Sequence, residues 1–183
     1  TPCPLILAAP IALVSGVSRA ARKGVVLKGG VVVEQLARTT AVLLDKTGTL
    51  TVGQPQIERV ATTHGAHTDD VLRLAASLEQ HSAHVVAGAL VSAAHRDDLA
   101  LDLPRDVRQV HGQGIEGAIG GQVVTVGSAE WLRSCGIDPE SLLDLRSTDD
   151  ENGRGMVMVG GDHRPAGLIV LADPIRPDAR QMI

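Results

Sequence analysis

The feature that most constrains the fold of this chain is a seven-residue stretch that begins at Asp45 and reads D-K-T-G-T-L-T. It directly follows residues 41–44, a short apolar run that is typical of a buried strand. Asp45 is therefore expected where a parallel strand ends and a turn rich in glycine and threonine begins. Ligands of open α/β sheets bind outside the carboxyl ends of the strands. The stretch predicts an α/β fold with a ligand site at Asp45.

The residues around Asp45 are suited to phosphoryl transfer. An aspartate in this place can attack phosphorus as a nucleophile and form an aspartyl-phosphate. Thr47 and Thr49 offer hydroxyl groups, the turn offers backbone N–H groups, and Lys46 brings positive charge. Such groups stabilise the charge that spreads over the phosphoryl oxygens during transfer. We therefore predict a catalytic site made of Asp45, Lys46, Thr47 and Thr49.

The residue two places after the aspartate indicates what happens to the phosphoryl group. An acid at position 47 could protonate a leaving group and later activate water. This chain has Thr47, whose hydroxyl cannot do that work near neutral pH. We expect an acyl phosphate on Asp45 that persists, which suits a pump cycle better than simple hydrolysis.

The motif resembles the phosphorylation site of P-type ATPases, and Asp45 matches the aspartate that those pumps phosphorylate. The flanking sequence is similar to their heavy-metal-transporting branch. Residues 1–10 resemble its intramembrane metal motif and the helix after it, and residues 28–30 and 34–37 resemble its link to the phosphorylation site. The resemblance extends over essentially the whole chain and implies ATP and Mg²⁺ as ligands, with the Mg²⁺ held at Asp45 and Thr47.

The pattern of apolar and turn residues predicts elements along the whole chain. A helix is expected to begin at Thr68, with acidic residues in its first turn. The glycines at 120 and 121 indicate a hairpin turn, and residues 53–55 indicate a hinge. The further predicted helices are 4–23, 31–38, 83–95, 128–135 and 139–145, and the predicted strands are 25–27, 41–44, 56–62, 107–111, 115–119, 123–126, 156–159 and 166–171.

This order indicates an α/β chain in which one domain interrupts another. By the resemblance, a partial Rossmann-like phosphorylation domain takes residues 24–52 and 170–183. The inserted α+β nucleotide-binding domain, an antiparallel sheet flanked by helices, takes residues 53–169. Asp173 and Arg176 match the D-P-[IL]-R segment of the family and are expected to support the phosphorylation domain rather than perform chemistry.

The first residues are expected to belong to a membrane helix. The apolar run over residues 5–17 is too short to span a bilayer, which needs about 20 residues. Residues 1–23 are therefore interpreted as the C-terminal half of a transmembrane helix and a stalk, with a buried core helix as the alternative. The basic cluster after the run would face the cytoplasm. The chain is expected to be a fragment of a longer multi-pass protein of the cell membrane, with residues 24–183 in the cytoplasm.

A second motif is carried by residues 78–87, which read L-E-Q-H-S-A-H-V-V-A. They resemble the pattern L-E-x-x-S-x-H-P-x-A in the nucleotide domain of heavy-metal pumps. By that resemblance, Glu79 hydrogen-bonds the adenine, His84 packs near its ring, and Gly112 and Gly114 leave room for the nucleotide. Val85 replaces the usual proline, which removes no ligand group because proline donates no hydrogen bond.

Cys3 is the candidate ligand for a transported metal. It lies between Pro2 and Pro4, and prolines free backbone carbonyls where a membrane helix lines a site. Copper-type pumps have Cys-Pro-Cys here, whereas this chain has Thr1 in place of the first cysteine. One thiolate fewer favours a mixed site for iron, cobalt, nickel or zinc. The histidine pairs 64/67 and 81/84 lack a third ligand and are interpreted as ordinary histidines.

These features predict ATP-driven transport of a transition-metal cation across a membrane through an aspartyl-phosphate on Asp45. The net charge of −4 and the lack of a basic stripe argue against a nucleic-acid partner. Three alternatives stay open: a soluble phosphatase of the phosphoaspartate superfamily, a pump of another branch, and a regulatory module that binds ATP without turnover. The later family segment with a Mg²⁺-binding aspartate and the catalytic lysine are absent from these residues, so the fragment alone is not expected to complete the transfer.

Overall fold

The computed structural model describes residues 4–63, 65–80, 82, 84–147 and 154–181, and for Leu5 and Gln181 the backbone only. The chain divides into two compact units, Thr1–Leu44 and Asp45–Ile183. Some residues named in the sequence predictions lie outside the described residues: 1–3, which include Cys3, and 64, 81 and 83.

The described residues of the first unit form the helices α1 (Pro4–Arg22) and α2 (Gly30–Ala37). Both were predicted from the sequence, and they pack closely, since a side chain at Gly30 would begin 3.0 Å from Leu13 Cδ1. The predicted strand at 25–27 is wrong, because in the described part of this unit no strand lies beside these residues to complete a ladder. Of the helices in the described ranges, none has both the length and the apolar character required to cross a bilayer.

The second unit begins with the helix-like turn Lys46–Leu50 and contains the sheet. In its described residues the α-helices all lie between strands: α3 (Thr68–Glu79), α4 (Val85–Arg96), α5 (Ala129–Ser134) and α6 (Glu140–Leu143). Its strands are β1 (Gln56–Thr62), β2 (Arg105–Val110), β3 (Gly114–Ile119), β4 (Gln122–Gly127), β5 (Gly155–Gly161) and β6 (Arg164–Ala172). A short 3₁₀ turn follows at Ala179–Gln181.

The six strands form one antiparallel sheet in the order β1-β6-β5-β4-β3-β2. The predicted hairpin at Gly120 and Gly121 is confirmed, and both residues have positive φ, 59° and 88°. Two-residue hairpins favour such backbone angles because their twist then matches that of the strands. The β5–β6 hairpin places Asp162 and His163 in the same left-handed region, at φ 48° and 59°.

Helices cover both faces of the sheet, which confirms the predicted α/β fold with an antiparallel sheet flanked by helices. Side chains alternate along a strand, so in β6 Ile169 and Leu171 pack with α3 and α4, whereas Leu168 and Val170 pack with α5 and α6. All four side chains are buried. β6 therefore reads as a continuous apolar run because it is covered on both sides.

Residues 41–44 do not form the strand that the sequence predicted. A parallel strand exists only when neighbouring strands hydrogen-bond to it, and every strand in the described ranges pairs within the antiparallel sheet. The side chain of Leu43 is accordingly 99% exposed. The largest differences at helix ends are in α4, which begins at Val85 because His84 caps it, and in α6, which ends at Leu143.

Close packing between the sheet and α3 leads to a prediction for Gly167, where an added Cβ would lie 2.8 Å from Val71 Cγ1 and 2.9 Å from the carbonyl oxygen of Ala61. Gly167→Ala should lower the free energy of unfolding by about 2 kcal/mol through overpacking. Urea denaturation measures this change. Gly155→Ala is the matched control, because its Cβ would meet Leu171 Cβ at an ordinary 3.8 Å. Equal effects of the two substitutions would contradict the prediction.

Candidate functional site

The turn after Asp45 has a defined backbone shape. Asp45 is extended, with φ −68° and ψ 141°, and Thr47 and Gly48 have φ/ψ of −77°/123° and 75°/−7°. The last two pairs are those of a type II β-turn, whose third residue requires positive φ and therefore favours glycine. The N–H of Thr51 donates to the carbonyl oxygen of Lys46 at 3.1 Å and closes the wider loop that contains this β-turn.

A buried hydroxyl and a carboxylate hold this turn in place. Thr51 is only 3% exposed, and its Oγ1 accepts a hydrogen bond from the Gly48 N–H at 3.1 Å. The same hydroxyl donates to Asp173 Oδ2 at 2.5 Å. Asp173 Oδ1 accepts a further hydrogen bond from the Gly53 N–H at 2.9 Å. One carboxylate, supplied by the chain after β6, thus fixes both the turn and the segment that leaves it.

Backbone hydrogen bonds extend the same connection. Val52 N donates to the carbonyl oxygen of Pro174 and Arg176 N donates to that of Leu50, both at 2.9 Å. Between them Thr51 forms an antiparallel bridge with Ile175. The side chain of Arg176 itself pairs with Asp178 at 3.1 Å. The segment that enters β1 and the segment that leaves β6 therefore run side by side, next to the start of β1 and the end of β6.

The predicted catalytic residues lie on the outer side of this turn. Asp45, Lys46, Thr47 and Thr49 are all exposed. Their hydroxyl, ammonium and carboxylate groups are thus accessible to a ligand from solvent. The arrangement can present a nucleophilic carboxylate beside hydrogen-bond donors, which is what attack on a phosphoryl group requires.

A second group of predicted residues meets where α3 ends and α4 begins. Glu79 is 9% exposed, and its Oε2 has no hydrogen-bond partner among the described residues. Burial raises the pKa of the Glu79 carboxyl above its ordinary value. A hydrogen bond from the Ser82 side chain and the charge of nearby His84 act in the opposite direction and make this rise in pKa smaller. The Ser82 N–H also donates to the backbone carbonyl oxygen of Glu79 at 2.9 Å.

Ser82 connects this group to its neighbours. The His84 N–H donates to Ser82 Oγ at 3.3 Å, and Gln109 Nε2 of β2 donates to the same oxygen at 3.3 Å. His84 Nδ1 accepts from the Val86 N–H at 3.3 Å and so caps α4. Glu79 and His84 are therefore brought together, as the motif predicted, and Ser82 and Gln109 join them. Gln109 carries no sequence signal for this role.

The two predicted glycines have different surroundings. Gly112 has φ 76°, and a Cβ there would meet no atom within 4 Å. At Gly114, by contrast, a Cβ would lie 2.3 Å from Trp131 Cδ1 and 2.5 Å from the carbonyl oxygen of Val126. A glycine at 114 is therefore required by the tryptophan that packs against it, whatever ligand the other side of the loop receives.

The structure keeps the Asp45 turn and the Glu79–His84 group as separate features. In the described part of the chain, no hydrogen bond or ion pair joins them. The described residues also contain no cluster of three or more histidine, cysteine, aspartate or glutamate side chains that could hold a metal ion.

Comparison with known proteins shows what the chain is similar to. The haloacid dehalogenase-like hydrolase family matches residues 39–183. A zinc/cadmium/lead-transporting P-type ATPase of Escherichia coli (strain K12) is 36% identical over 183 residues, which are all of this chain and 24% of that protein. A probable copper-exporting P-type ATPase V of Mycobacterium tuberculosis (strain ATCC 25618 / H37Rv) is 34% identical, with the same shares covered.

Solved structures give the same result. The crystal structure of a zinc-transporting PIB-type ATPase in the E2.Pi state matches with a TM-score of 0.81 and 36% identity, over 100% of this chain and 29% of that one. The N-domain of HMA6, a copper-transporting P-type ATPase, matches with a TM-score of 0.56 and 27% identity, over 65% of this chain and 99% of that one. The resemblance to heavy-metal P-type ATPases is confirmed, and the chain spans about a quarter of the length of the curated relatives it matches.

The contacts of Asp173 lead to a prediction about the turn. Asp173→Ala removes the acceptor of both the Thr51 hydroxyl and the Gly53 N–H. Local opening of residues 46–53 should then become easier by about 2 kcal/mol, since hydrogen bonds to charged groups contribute that much. Hydrogen exchange at the Gly48 and Gly53 amides measures it. Asp178→Ala, which removes only an exposed pair with Arg176, should leave both amides protected, and equal exchange in the two variants would contradict the prediction.

The raised pKa of Glu79 leads to a prediction about pH. Between the ordinary pKa of 4.5 and the raised pKa, the folded state keeps the proton on Glu79 while the unfolded state has lost it. The contribution of protonated Glu79 to the free energy of unfolding is therefore complete below pH 4.5. It is lost as the pH rises through the raised folded-state pKa. The free energy of unfolding of the unmodified chain should therefore fall over this range relative to Glu79→Gln. Urea denaturation at a series of pH values measures it, with the exposed Glu130→Gln as control. Parallel curves for the unmodified chain and Glu79→Gln would contradict the prediction.

Proposed function

The chain belongs to the haloacid dehalogenase-like hydrolase family, and from that premise we propose that it supplies the phosphorylated aspartate and the ATP site of a P-type ATPase that transports a transition-metal cation. The main support for the proposal is that Asp45 is exposed at the start of a turn that hydrogen bonds to Thr51 and Asp173 hold in place. Such a turn leaves the carboxylate of Asp45 accessible to a ligand from solvent. The activity, the cargo and the membrane location of the whole protein are part of the proposal.

In the proposed reaction, a carboxylate oxygen of Asp45 attacks the γ-phosphorus of ATP. The bond between that phosphorus and the bridging oxygen breaks, ADP leaves, and an acyl phosphate remains on Asp45. Lys46 and the hydroxyl and N–H groups of Thr47 and Thr49 stabilise the charge on the phosphoryl oxygens. Because Thr47 cannot act as a general base, water is not activated at once and the phosphorylated state persists.

The residues present fit a nucleotide at the second group. Glu79 Oε2 is a buried acceptor without a partner in the described part of the chain, and an adenine amino group is a donor that would satisfy it. A hydrogen bond from the adenine would offset the desolvation penalty of this buried, unpaired oxygen. His84 lies next to it for contact with the ring, and the backbone of Gly112 and Gly114 is open to close approach on the side away from Trp131.

Oxygen donors at the turn fit Mg²⁺, which is usually held by one or two carboxylates together with substrate phosphates. Asp45 and Thr47 would hold it. When bound, it neutralises negative charge on the phosphates. At the other end of the chain, the thiolate of Cys3 is proposed as a ligand of the transported ion, in residues 1–23 of a membrane helix and stalk.

The proposed cycle needs the nucleotide to reach Asp45 by domain movement. The boundary expected at 169/170 falls inside β6, whose residues up to Ala172 pair with β1, so we assign residues 53–172 to the moving nucleotide-binding domain. Residues 24–52 and 173–183 are assigned to the phosphorylation domain, with residues 24–183 in the cytoplasm. Gly53, at φ 74°, lies where the chain enters the moving part. A hinge of this kind needs only a few residues that absorb the backbone change.

The test uses the full-length protein that contains this chain, in membranes, with ATP hydrolysis measured against a panel of metal ions. One ion should stimulate hydrolysis, and acid-stable labelling from γ-³²P-ATP should appear on the protein. Asp45→Asn should abolish labelling and stimulated hydrolysis, because an amide is not a nucleophile towards phosphorus. Asp144→Asn, an exposed aspartate elsewhere, is the control and should keep both.

Three results would overturn the proposal in different ways. Labelling that survives in Asp45→Asn would show another phosphorylated residue. Binding of ATP without stimulation by any metal would favour a regulatory module. Hydrolysis of a simple phosphate ester without a labelled intermediate would favour a phosphatase.

A further inference from the structure

The loop with the two glycines, residues 111–114, is anchored by the first turn of α5. The carbonyl oxygen of Gln113 accepts a hydrogen bond from the Ser128 N–H at 2.9 Å, and the Gln113 N–H donates to the carbonyl oxygen of Val110 at 3.1 Å. Ser128 is also the cap of α5, because its Oγ accepts from the Trp131 N–H at 3.1 Å. The loop and the helix start are thus held by the same serine.

Trp131 lies directly beneath this loop. It is 3% exposed, and its Nε1–H donates to the carbonyl oxygen of Ile115 at 3.3 Å. Its Cδ1 lies 2.3 Å from the place of a Cβ at Gly114 and 2.7 Å from that at Gly127. The ring therefore occupies the space that side chains on two paired positions of β3 and β4 would need. Both glycines allow the strands to rest on the indole.

A charged residue of the neighbouring strand covers the ring. Arg108 Cζ lies 5.0 Å from the ring centroid, within the range of a cation–π contact. Arg108 also pairs with Glu116 at 3.4 Å, and Glu116 accepts from the Thr125 hydroxyl at 3.2 Å. These contacts connect β2, β3 and β4 around Trp131. The indole thus joins the three strands next to the glycine loop.

We propose that Trp131 is a positioning residue for nucleotide binding, acting by holding the backbone of residues 112–114 in its binding shape. The proposal rests on ATP as the ligand of Gly112 and Gly114. Glycine has more backbone freedom than any other residue, and no neighbour lies within 4 Å of a Cβ at Gly112. Without a support, such a loop would lose conformational entropy on binding, which costs affinity. Trp131 supplies the support from the opposite side and does not touch the nucleotide.

The experiment compares three variants of the 183-residue chain. Trp131→Leu removes the ring, and Trp131→Phe keeps an aromatic ring but removes the Nε1–H that bonds Ile115. Leu142→Ala is the matched control, because Leu142 is fully buried in the same apolar cluster as Trp131 and belongs to α6. All three weaken the core, but only the first two act on the glycine loop.

Two measurements separate positioning from general stability. The Kd for ATP, by calorimetry, should rise about tenfold in Trp131→Leu and less in Trp131→Phe, and stay within about twofold in Leu142→Ala. Without any nucleotide, the amides of Gln113 and Gly114 should exchange about tenfold faster in Trp131→Leu than in Leu142→Ala.

The outcomes distinguish this inference from the proposed function. An equal loss of ATP affinity in Leu142→Ala and Trp131→Leu, or unchanged exchange in the loop, would overturn the positioning role. Failure of the unmodified chain to bind ATP, together with faster exchange in Trp131→Leu, would overturn ATP as the ligand and leave the support of the loop established.

Discussion

The hydrogen bond between the Thr51 hydroxyl and the Asp173 carboxylate is the contact on which the site at Asp45 depends. The two residues are 122 positions apart in sequence, so the turn acquires its shape only when the strands between them have folded. A hydroxyl has one proton and two lone pairs. Thr51 uses the proton towards Asp173 and a lone pair towards the Gly48 N–H. The turn after Asp45 is therefore shaped by the completed sheet and not by local sequence alone.

The sheet makes this closure possible because its first and last strands are neighbours. β1 pairs with β6, and the chain entering β1 continues that pairing with the chain leaving β6. Any relative movement of the sheet and the Asp45 turn must pass through these two adjacent segments. Their backbone hydrogen bonds, together with Asp173, make them a paired connection rather than two independent linkers.

Local sequence was sufficient where the signal was itself local. The acidic first turn of α3 and the glycine hairpin after Ile119 depend on residues a few positions apart, and both were predicted. The cap at Ser128 was not, because the predicted helix already included that residue. Residues 41–44 have the composition of a buried strand, but composition cannot supply the hydrogen-bonded neighbours that make a strand. The pairing of Glu79 with His84 followed from a motif. The contributions of Gln109 and Trp131 did not, since they arise from cross-strand contacts that leave no spacing pattern.

Glycines in this chain have two physical roles that a motif does not separate. Gly48 and Gly112 have positive φ and open surroundings, so they provide backbone shape and access. Gly114 and Gly127 have a tryptophan where a side chain would be, so they provide packing. The G-x-G pair thus combines one residue of each kind, two positions apart. Because the packed glycine fixes the position of the open one, the rigidity of the indole beneath determines how well the exposed backbone is prepared for a ligand.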